Sequence, residues 1–532
     1  MREVDSAGDK GRAALYWLGL TLLSVLFLID GAWLAQRLVT WTDESAYVHL
    51  GYLAASGRIS LFQDEMPGSR MPLPFWIIGW SQVAFGRSLL AARLTSLAIG
   101  VAVVWLTASL GRRIAGDMGG LLAAAFLVSQ GAIVGYFATA TYHTVAATIL
   151  LGGLALAIGD TKPWHRAAAA MVFSLLFLTR TNLWPVVPAA VVALWFIAAG
   201  RLERLRIALA AAVVPLLFFA WDARHLKVLT YVPLVRRLMS PLAYPSGASL
   251  VDIPVPTVSE RLMAVVRFGR MYEFWCLAAV ALAGLLLVAR WRGRPAYAFT
   301  RDWRVWLVAG AVVYIALFQV LILWDFPKAF VAWFPSFAPL VAVLLGTGFA
   351  LVVSDGGWRP GGRLAIGAVL VALLVAPAVI IRHPLLPAGA DAGARPIREM
   401  AAAAAHMREL VPPPGARVFL LGDSLIPYLA GFTPYLQQIH SMNTLAVVQE
   451  RRGIEKGGLW GDREMELWLS KDADYVVIEP QEVDYLATRR PEQIARFRAL
   501  LAEHFQRVGR IDDYRWFVYE VYARRGLAPA RG

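Results

Sequence analysis

The chain of 532 residues holds a single cysteine, Cys276. No disulfide can close within it, and neither a cysteine-based zinc cluster nor a Cys-x-x-Cys redox pair can form. Charge is scarce too. Asp, Glu, Lys and Arg make up 17 % of residues, against roughly 25 % in soluble domains. A Gly-rich phosphate loop and an obvious nucleotide-binding domain are missing. In their place stands apolar mass, 58 % of the chain, more than a water-soluble fold hides. A disordered chain, a collagen-like repeat and an ordinary soluble enzyme are excluded, and lipid is the natural solvent. The net charge of +14 does not imply nucleic acid, because the basic residues sit between apolar runs. Cys276 reads as a small apolar residue inside a membrane helix.

Eleven apolar runs approach the ~20 residues a helix needs to cross ~30 Å of hydrocarbon. They lie at about 14–36, 89–111, 117–134, 141–159, 165–181, 183–199, 205–221, 272–290, 303–323, 329–353 and 363–381. The first follows Lys10 and Arg12 as a signal peptide would, but it is long and opens a polytopic chain, so it reads as an uncleaved anchor. Eleven spans put the termini on opposite faces. With the N-terminus inside, 17 Lys and Arg fall in 58 inner residues and 12 in about 115 outer ones. That asymmetry predicts a cytoplasmic N-terminus and an extracytoplasmic C-terminus in the inner (plasma) membrane.

The outer segment 37–88 holds a helical stretch, 43–57, and an aromatic amphipathic one, Pro72 to Phe85, suited to the interface. The Pro-rich segment 222–271 is expected to be irregular and mobile. After His383-Pro384 the character changes. Strand-like runs (Arg417–Leu421, Tyr475–Glu479, Trp516–Val521) alternate with helical ones (Ile397–Leu410, Pro491–Phe505). The expected fold is a polytopic α-helical membrane protein over 1–382, followed by an extracytoplasmic α/β domain over 383–532.

Chemistry concentrates at Trp41-Thr42-Asp43-Glu44-Ser45-Ala46-Tyr47, just past the first span. Two adjacent carboxylates there fit a helix start, with Thr42 or Asp43 as cap and acid in the first turn. They equally fit a general base at the membrane surface beside a lipid-borne substrate, and the two readings are compatible. A second acidic pair, Asp64-Glu65, precedes Arg70; Arg180 and Lys328 stand at other outer turns. An ionisable group at a bundle rim either snorkels or binds something. Three cations facing one outer carboxylate would suit a phosphate-bearing lipid. Asp43, Glu44, Asp64, Glu65 and His143 could ligate a divalent metal, though nothing in their spacing demands one.

An Asp-Glu pair after the first membrane helix, then x-x-Tyr, resembles the signature of GT-C class membrane glycosyltransferases. The nearest in pattern are protein O-mannosyltransferases and bacterial lipid A aminoarabinose transferases. Arg70-Met71-Pro72-Leu73-Pro74-Phe75-Trp76 resembles their Lys-Pro-Pro-Leu-x-x-Trp stretch. Ala92-Arg93-Leu94 with Leu110-Gly111-Arg112-Arg113, Leu178-Thr179-Arg180, and Lys328 through Pro335 and Pro339 resemble later family segments in the same order. The resemblance covers roughly 1–350. It implies a GT-C bundle of about 11 helices and an inverting transfer from a polyprenyl-phosphate-linked sugar to a hydroxyl of a lipid, glycan or protein. Asp43 would be the base and Glu44 its support. Arg70, Arg180 and Lys328 would hold the phosphate, and Tyr47 would line the substrate site. One departure stands out: where members carry an Asp between the third and fourth spans, this chain reads Tyr136-Phe137-Ala138-Thr139-Ala140-Thr141-Tyr142-His143. His143 or Tyr142 would substitute there, or the acceptor differs.

Two rivals belong to other classes. Gly422-Asp423-Ser424 after an expected strand resembles the nucleophile block of SGNH-type esterases, which would make the chain a sugar O-acyltransferase. Only His440 and His504 follow that serine, with Gln437 and Leu501 three residues before them, so the Asp-x-x-His partner is absent and the serine lacks its base. A transporter or lipid flippase would need midplane charge and internal pseudo-symmetry. Asp30 is the only acid well inside an early span, and no repeat is evident.

Overall fold

The structure is a computed structural model, and it describes residues 2–40, 42–61, 72–159, 162–180, 183–222, 257–293, 302–322, 334–355, 358–411, 415–439, 445 and 460–527. Fourteen α-helices make up the part before residue 380 among these residues: α1 (Arg2–Arg37), α2 (Thr42–Ala55), α3 (Pro72–Phe85), α4 (Leu89–Ser129), α5 (Gly131–Phe137), α6 (His143–Ile158), α7 (Pro163–Ser174), α8 (Val186–Ile197), α9 (Arg201–Asp222), α10 (Val258–Met271), α11 (Glu273–Trp291), α12 (Trp303–Ile322), α13 (Ala338–Asp355) and α14 (Pro360–Val379). Every expected apolar run overlaps one of them. Among the described residues, four stretches are long and apolar enough to cross a bilayer: Gly11–Arg37, Leu89–Ser129, Glu273–Trp291 and Pro360–Val379. Five more apolar helices have 10–17 residues.

Local chemistry explains the breaks. At Ala115-Gly116 α4 leaves helical geometry, with Gly116 at φ 68°, a value only glycine adopts without strain. The halves fold back on each other, so a side chain on Gly111 would meet the Gly119 carbonyl at 2.6 Å. The runs 89–111 and 117–134 are therefore two antiparallel arms. The second arm is shorter than expected, because the chain turns again at Gln130 before α5. Ser88 caps the first arm, its hydroxyl accepting from the Ala91 N–H (3.2 Å). The α2–α3 pair is closer still: a Cβ on Gly79 would lie 2.0 Å from the Gly51 carbonyl oxygen. Small residues permit such contact, which matters in lipid, where apolar burial alone does not drive helices together. One expectation is corrected: segment 222–271, read as irregular, ends in the helix α10, whose apolar and basic residues alternate at helical spacing.

Beyond α14 the chain forms α15 (Pro396–Leu410), β1 (Val418–Leu421), α16 (Leu425–Ala430), α17 (Asp462–Leu467), β2 (Tyr475–Ile478), α18 (Pro480–Arg489), α19 (Pro491–His504), β3 (Phe505–Ile511) and β4 (Tyr519–Arg524). The strand order is β1-β2-β4-β3. β1 and β2 pair in parallel, and the other pairs are antiparallel. β1 and β2 are buried on both faces, which is why they read as unbroken apolar runs. Two expectations shift. The last strand begins at Tyr519 rather than Trp516, and Phe505, read as the end of a helix, is the first residue of the strand β3, whose ends are buried while Gln506 and Arg507 are exposed.

This segment docks on the helices rather than hanging free. The Val39 N–H donates to the Leu385 carbonyl (2.8 Å), Arg87 to the Tyr428 carbonyl (3.1 Å), and the Tyr428 hydroxyl to Gln82 (3.1 Å). His49 on α2 packs its ring 4.9 Å from that of Tyr428. Burial, aided by the Arg87 charge, pushes the His49 imidazole down to about 3. Glu479 lies across from it in sign. Burial, then the neighbouring Asp423 carboxylate, pushes its carboxyl up to about 7. The folded Glu479 holds its proton more tightly than the unfolded one, so its contribution to stability is complete below its ordinary value of 4.5 and is lost as pH rises through 7. Neutral buried His49 works oppositely, with stability lost as pH falls below 6.5. Comparison with Glu479→Gln isolates the carboxyl. In thermal unfolding of the full chain in detergent, wild type and Glu479→Gln are expected to coincide at about pH 4, below the ordinary carboxyl value of 4.5. At pH 8 wild type should be weaker by on the order of 3 kcal/mol; equal melting at both pH values would contradict the assignment.

Candidate active site

The site is built where α1 ends. Arg93, in the first arm of α4, is fully buried and faces the equally buried Glu44. Its Nε donates to Glu44 Oε1 (2.9 Å) and its Nη2 to Oε2 (2.7 Å). Its Nη1 donates to the Ala35 and Leu38 carbonyls (2.7 and 2.9 Å), which close the orphan end of α1. Glu44 also accepts from Thr40 Oγ1 (3.1 Å) and the Ala140 N–H (2.7 Å). One bidentate pair thus joins α1, α2, α4 and the turn before α6. Nothing of Glu44 is left for a substrate or a metal, so its carboxylate positions the start of α2.

That clamp sets Asp43, its half-buried neighbour, on the other side of the helix start. One turn on, Tyr47 stacks on Phe75 with ring centres 4.3 Å apart, and its centre is 6.3 Å from that of Tyr142. The Arg180 guanidinium lies 4.3 Å over the Tyr142 ring. It hydrogen bonds to Tyr47 and lies in the field of Asp43. The structure therefore gathers Asp43, Tyr47, Tyr142 and Arg180, from α2, the turn before α6, and the turn after α7. A carboxylate and a guanidinium sharing an aromatic-walled site can take a proton and stabilise a developing anion. Rings continue the wall: Tyr142 to His143 (4.3 Å), His143 to Tyr136 (5.5 Å) and Tyr136 to His383 (4.6 Å). His143 is buried, with Nδ1 3.1 Å from Ser336 Oγ.

Arg70, Lys328, Asp64 and Glu65 lie outside the described residues. Among the described residues, no three His, Cys, Asp or Glu side chains group as a metal site. Ser424 follows β1 as expected, but its hydroxyl is fully buried and unbonded. His504 ends α19 beside Glu503, and His440 lies outside the described residues. Sequence reasoning missed the roles of Arg93 and His383. The available signal for the first was a guanidinium within an otherwise apolar helix, which needs a partner.

The chain matches no protein-family model and no curated protein sequence. Solved structures do match. The oligosaccharyltransferase of Archaeoglobus fulgidus in its apo form superposes at a TM-score of 0.50 and 11 % identity, over 93 % of this chain and 73 % of that one. The chain resembles the GT-C glycosyltransferases in fold. ArnT from Cupriavidus metallidurans bound to undecaprenyl phosphate is also similar, at a TM-score of 0.47 and 14 % identity, over 97 % of this chain and 99 % of that one. The likeness in fold to the oligosaccharyltransferase runs over 93 % of the chain.

Removing one partner from a buried ion pair strands the other charge and costs about 3–5 kcal/mol. Arg93→Leu and Glu44→Gln are each expected to lower the melting temperature of the detergent-purified protein sharply, with Arg93→Leu/Glu44→Gln losing less than the sum. Strict additivity in this cycle would mean that the two side chains do not act as a pair.

Proposed function

We propose that the chain is an inverting glycosyltransferase that moves a sugar from a polyprenyl-phosphate carrier to an acceptor hydroxyl at the outer face of the cell membrane. The observation that carries this reading is Arg180, set over the Tyr142 ring (4.3 Å) and in the field of Asp43, within a fold shared with an oligosaccharyltransferase. In the reaction, Asp43 takes the proton of the acceptor hydroxyl. The oxygen attacks the anomeric carbon as the carbon–oxygen bond to the carrier phosphate breaks, and the configuration inverts. Arg180 meets the negative charge that develops on the departing phosphate. Arg70 and Lys328 are assigned the same task from sequence, and Tyr47 and His143 are assigned to the substrate. Glu44 is a positioning residue.

An apolar cleft of about 250 Å³ lies between α6, α7, α8 and α12, lined by Leu150, Leu154, Phe173, Leu194, Trp306 and Leu307. Its walls suit a prenyl tail, since no polar group there would be stranded by hydrocarbon. Residues 1–382 form the catalytic bundle in this reading. Residues 383–532 pack beside the acceptor approach, with the C-terminus outside and the N-terminus in the cytoplasm.

The test is transfer of radiolabelled sugar from a polyprenyl phosphate carrier by the purified protein in liposomes, with membrane glycolipids, glycans and proteins offered as acceptors. Asp43→Asn is expected to lose at least about 100-fold in rate while melting like wild type; wild-type turnover in that variant would remove Asp43 as the base. Arg180→Gln should impair use of the donor more than use of the acceptor. Label that crosses the bilayer without being transferred would identify a transporter instead.

A further inference from the structure

A second cavity, of about 600 Å³, lies between α10 and the segment that follows α14, and Asp43 is not among its lining residues. Arg267 and Arg270 from α10 line it, with Arg382 and His383 from the other wall. Its depth in the membrane follows from its neighbours. α10 leads directly into α11, and residues 381–388 directly follow α14; both helices are long and apolar enough to span. The cavity therefore opens where two spans leave the hydrocarbon, at headgroup level. It is on the same face as Asp43, because Leu385 bonds to Val39 (2.8 Å).

Among the described residues, the charge in this cavity is only partly balanced by carboxylates. Arg382 is paired with Glu273 (2.5 Å) and also donates to the Arg270 carbonyl (3.1 Å). Among the described residues, Arg267 and Arg270 have no carboxylate partner, and both are exposed. His383 is buried, and its Nδ1 accepts from the Leu385 N–H (3.1 Å). In the neutral ring the proton therefore sits on Nε2, a buried donor with no acceptor among the described residues. Beside the arginines, α10 exposes Leu262, Met263 and Val266 at 62, 50 and 50 %, while Met271 and Ile381 line the cavity. Guanidinium groups flanked by unpartnered apolar side chains, at headgroup depth, match an anion carried on hydrocarbon better than a soluble one.

We propose that this cavity binds the phosphodiester headgroup of an anionic bilayer phospholipid, held by Arg267 and Arg270, with its acyl chains against the apolar side of α10. The occupant is a resident lipid rather than the sugar carrier: none of Asp43, Tyr47, Tyr142 and Arg180 lines the cavity. The site stands whether or not the chain transfers sugar.

Native mass spectrometry of the full-length protein, titrated with dioleoylphosphatidylglycerol or dioleoylphosphatidylcholine, tests this. Wild type is expected to retain the phosphatidylglycerol at least about tenfold more strongly than the phosphatidylcholine. Arg267→Gln/Arg270→Gln should erase that preference at an unchanged melting temperature, and Arg267→Lys/Arg270→Lys should keep most of it. Equal retention of the two lipids by wild type would overturn the proposal without any variant being needed. So would displacement of the phosphatidylglycerol by millimolar inorganic phosphate, which would mark a site for soluble anions. Displacement by stoichiometric undecaprenyl phosphate would mark a carrier site and overturn it equally.

Discussion

The bidentate pair between Glu44 and Arg93 is the constraint on which the rest of the arrangement depends. Four chain segments end or turn at this point, and each delivers backbone groups that lipid cannot satisfy. The guanidinium has five donors in a fixed fork, and two of its nitrogens bind the carboxylate while the third binds two carbonyls. The carboxylate answers with a threonine hydroxyl and a backbone N–H besides. A buried ion pair is weak evidence for stability by itself. Here its value lies in geometry, since both partners are fully committed and fix the direction in which α2 leaves α1.

That direction decides where Asp43 points. The same clamp reaches the sheet-bearing segment, because Tyr514 hydrogen bonds to the Thr40 N–H (3.4 Å) two positions before the described start of α2. Tyr519 in turn donates to the Asp423 carbonyl (3.0 Å), so the loop after β1 and the end of α1 are linked through the β3–β4 turn and the start of β4. The apolar core is correspondingly continuous from Tyr16 on α1 to Val521 on β4. A change at the sheet can therefore shift the start of α2, and the Asp43 carboxylate with it.

Packing among the helices follows the rule for a lipid solvent. Close approach is bought with small residues: Gly51 against Gly79, Gly111 against Gly119, and Gly346 against Ala123. The α2–α3 contact brings Phe75 onto Tyr47, so a structural economy of side-chain volume also builds a wall of the site. α3 then turns Trp80 and Phe85 outward, as its aromatic pattern suggested for an interfacial helix.

Helix existence was readable because apolar run length is a local property: the runs near 272–290 and 363–381 became α11 and α14 almost unchanged, and 14–36 lies within the longer α1. The buried parallel strands were readable for the same reason. β3 was not, since Phe505 to Ile511 carries exposed polar residues and gains its identity only from pairing with β4. The pair of acids at 43–44 was visible as a motif, but nothing local distinguishes their fates. Adjacent residues on a helix point about 100° apart. One therefore meets Arg93, 49 positions away, and the other shares its surroundings with Arg180. By itself the sequence determined the solvent, the helices and the residue types available for chemistry, because these rest on composition and short-range periodicity. Only the tertiary structure decided which acid became a strut and which cations share a cavity, because contacts between distant segments depend on how whole helices pack.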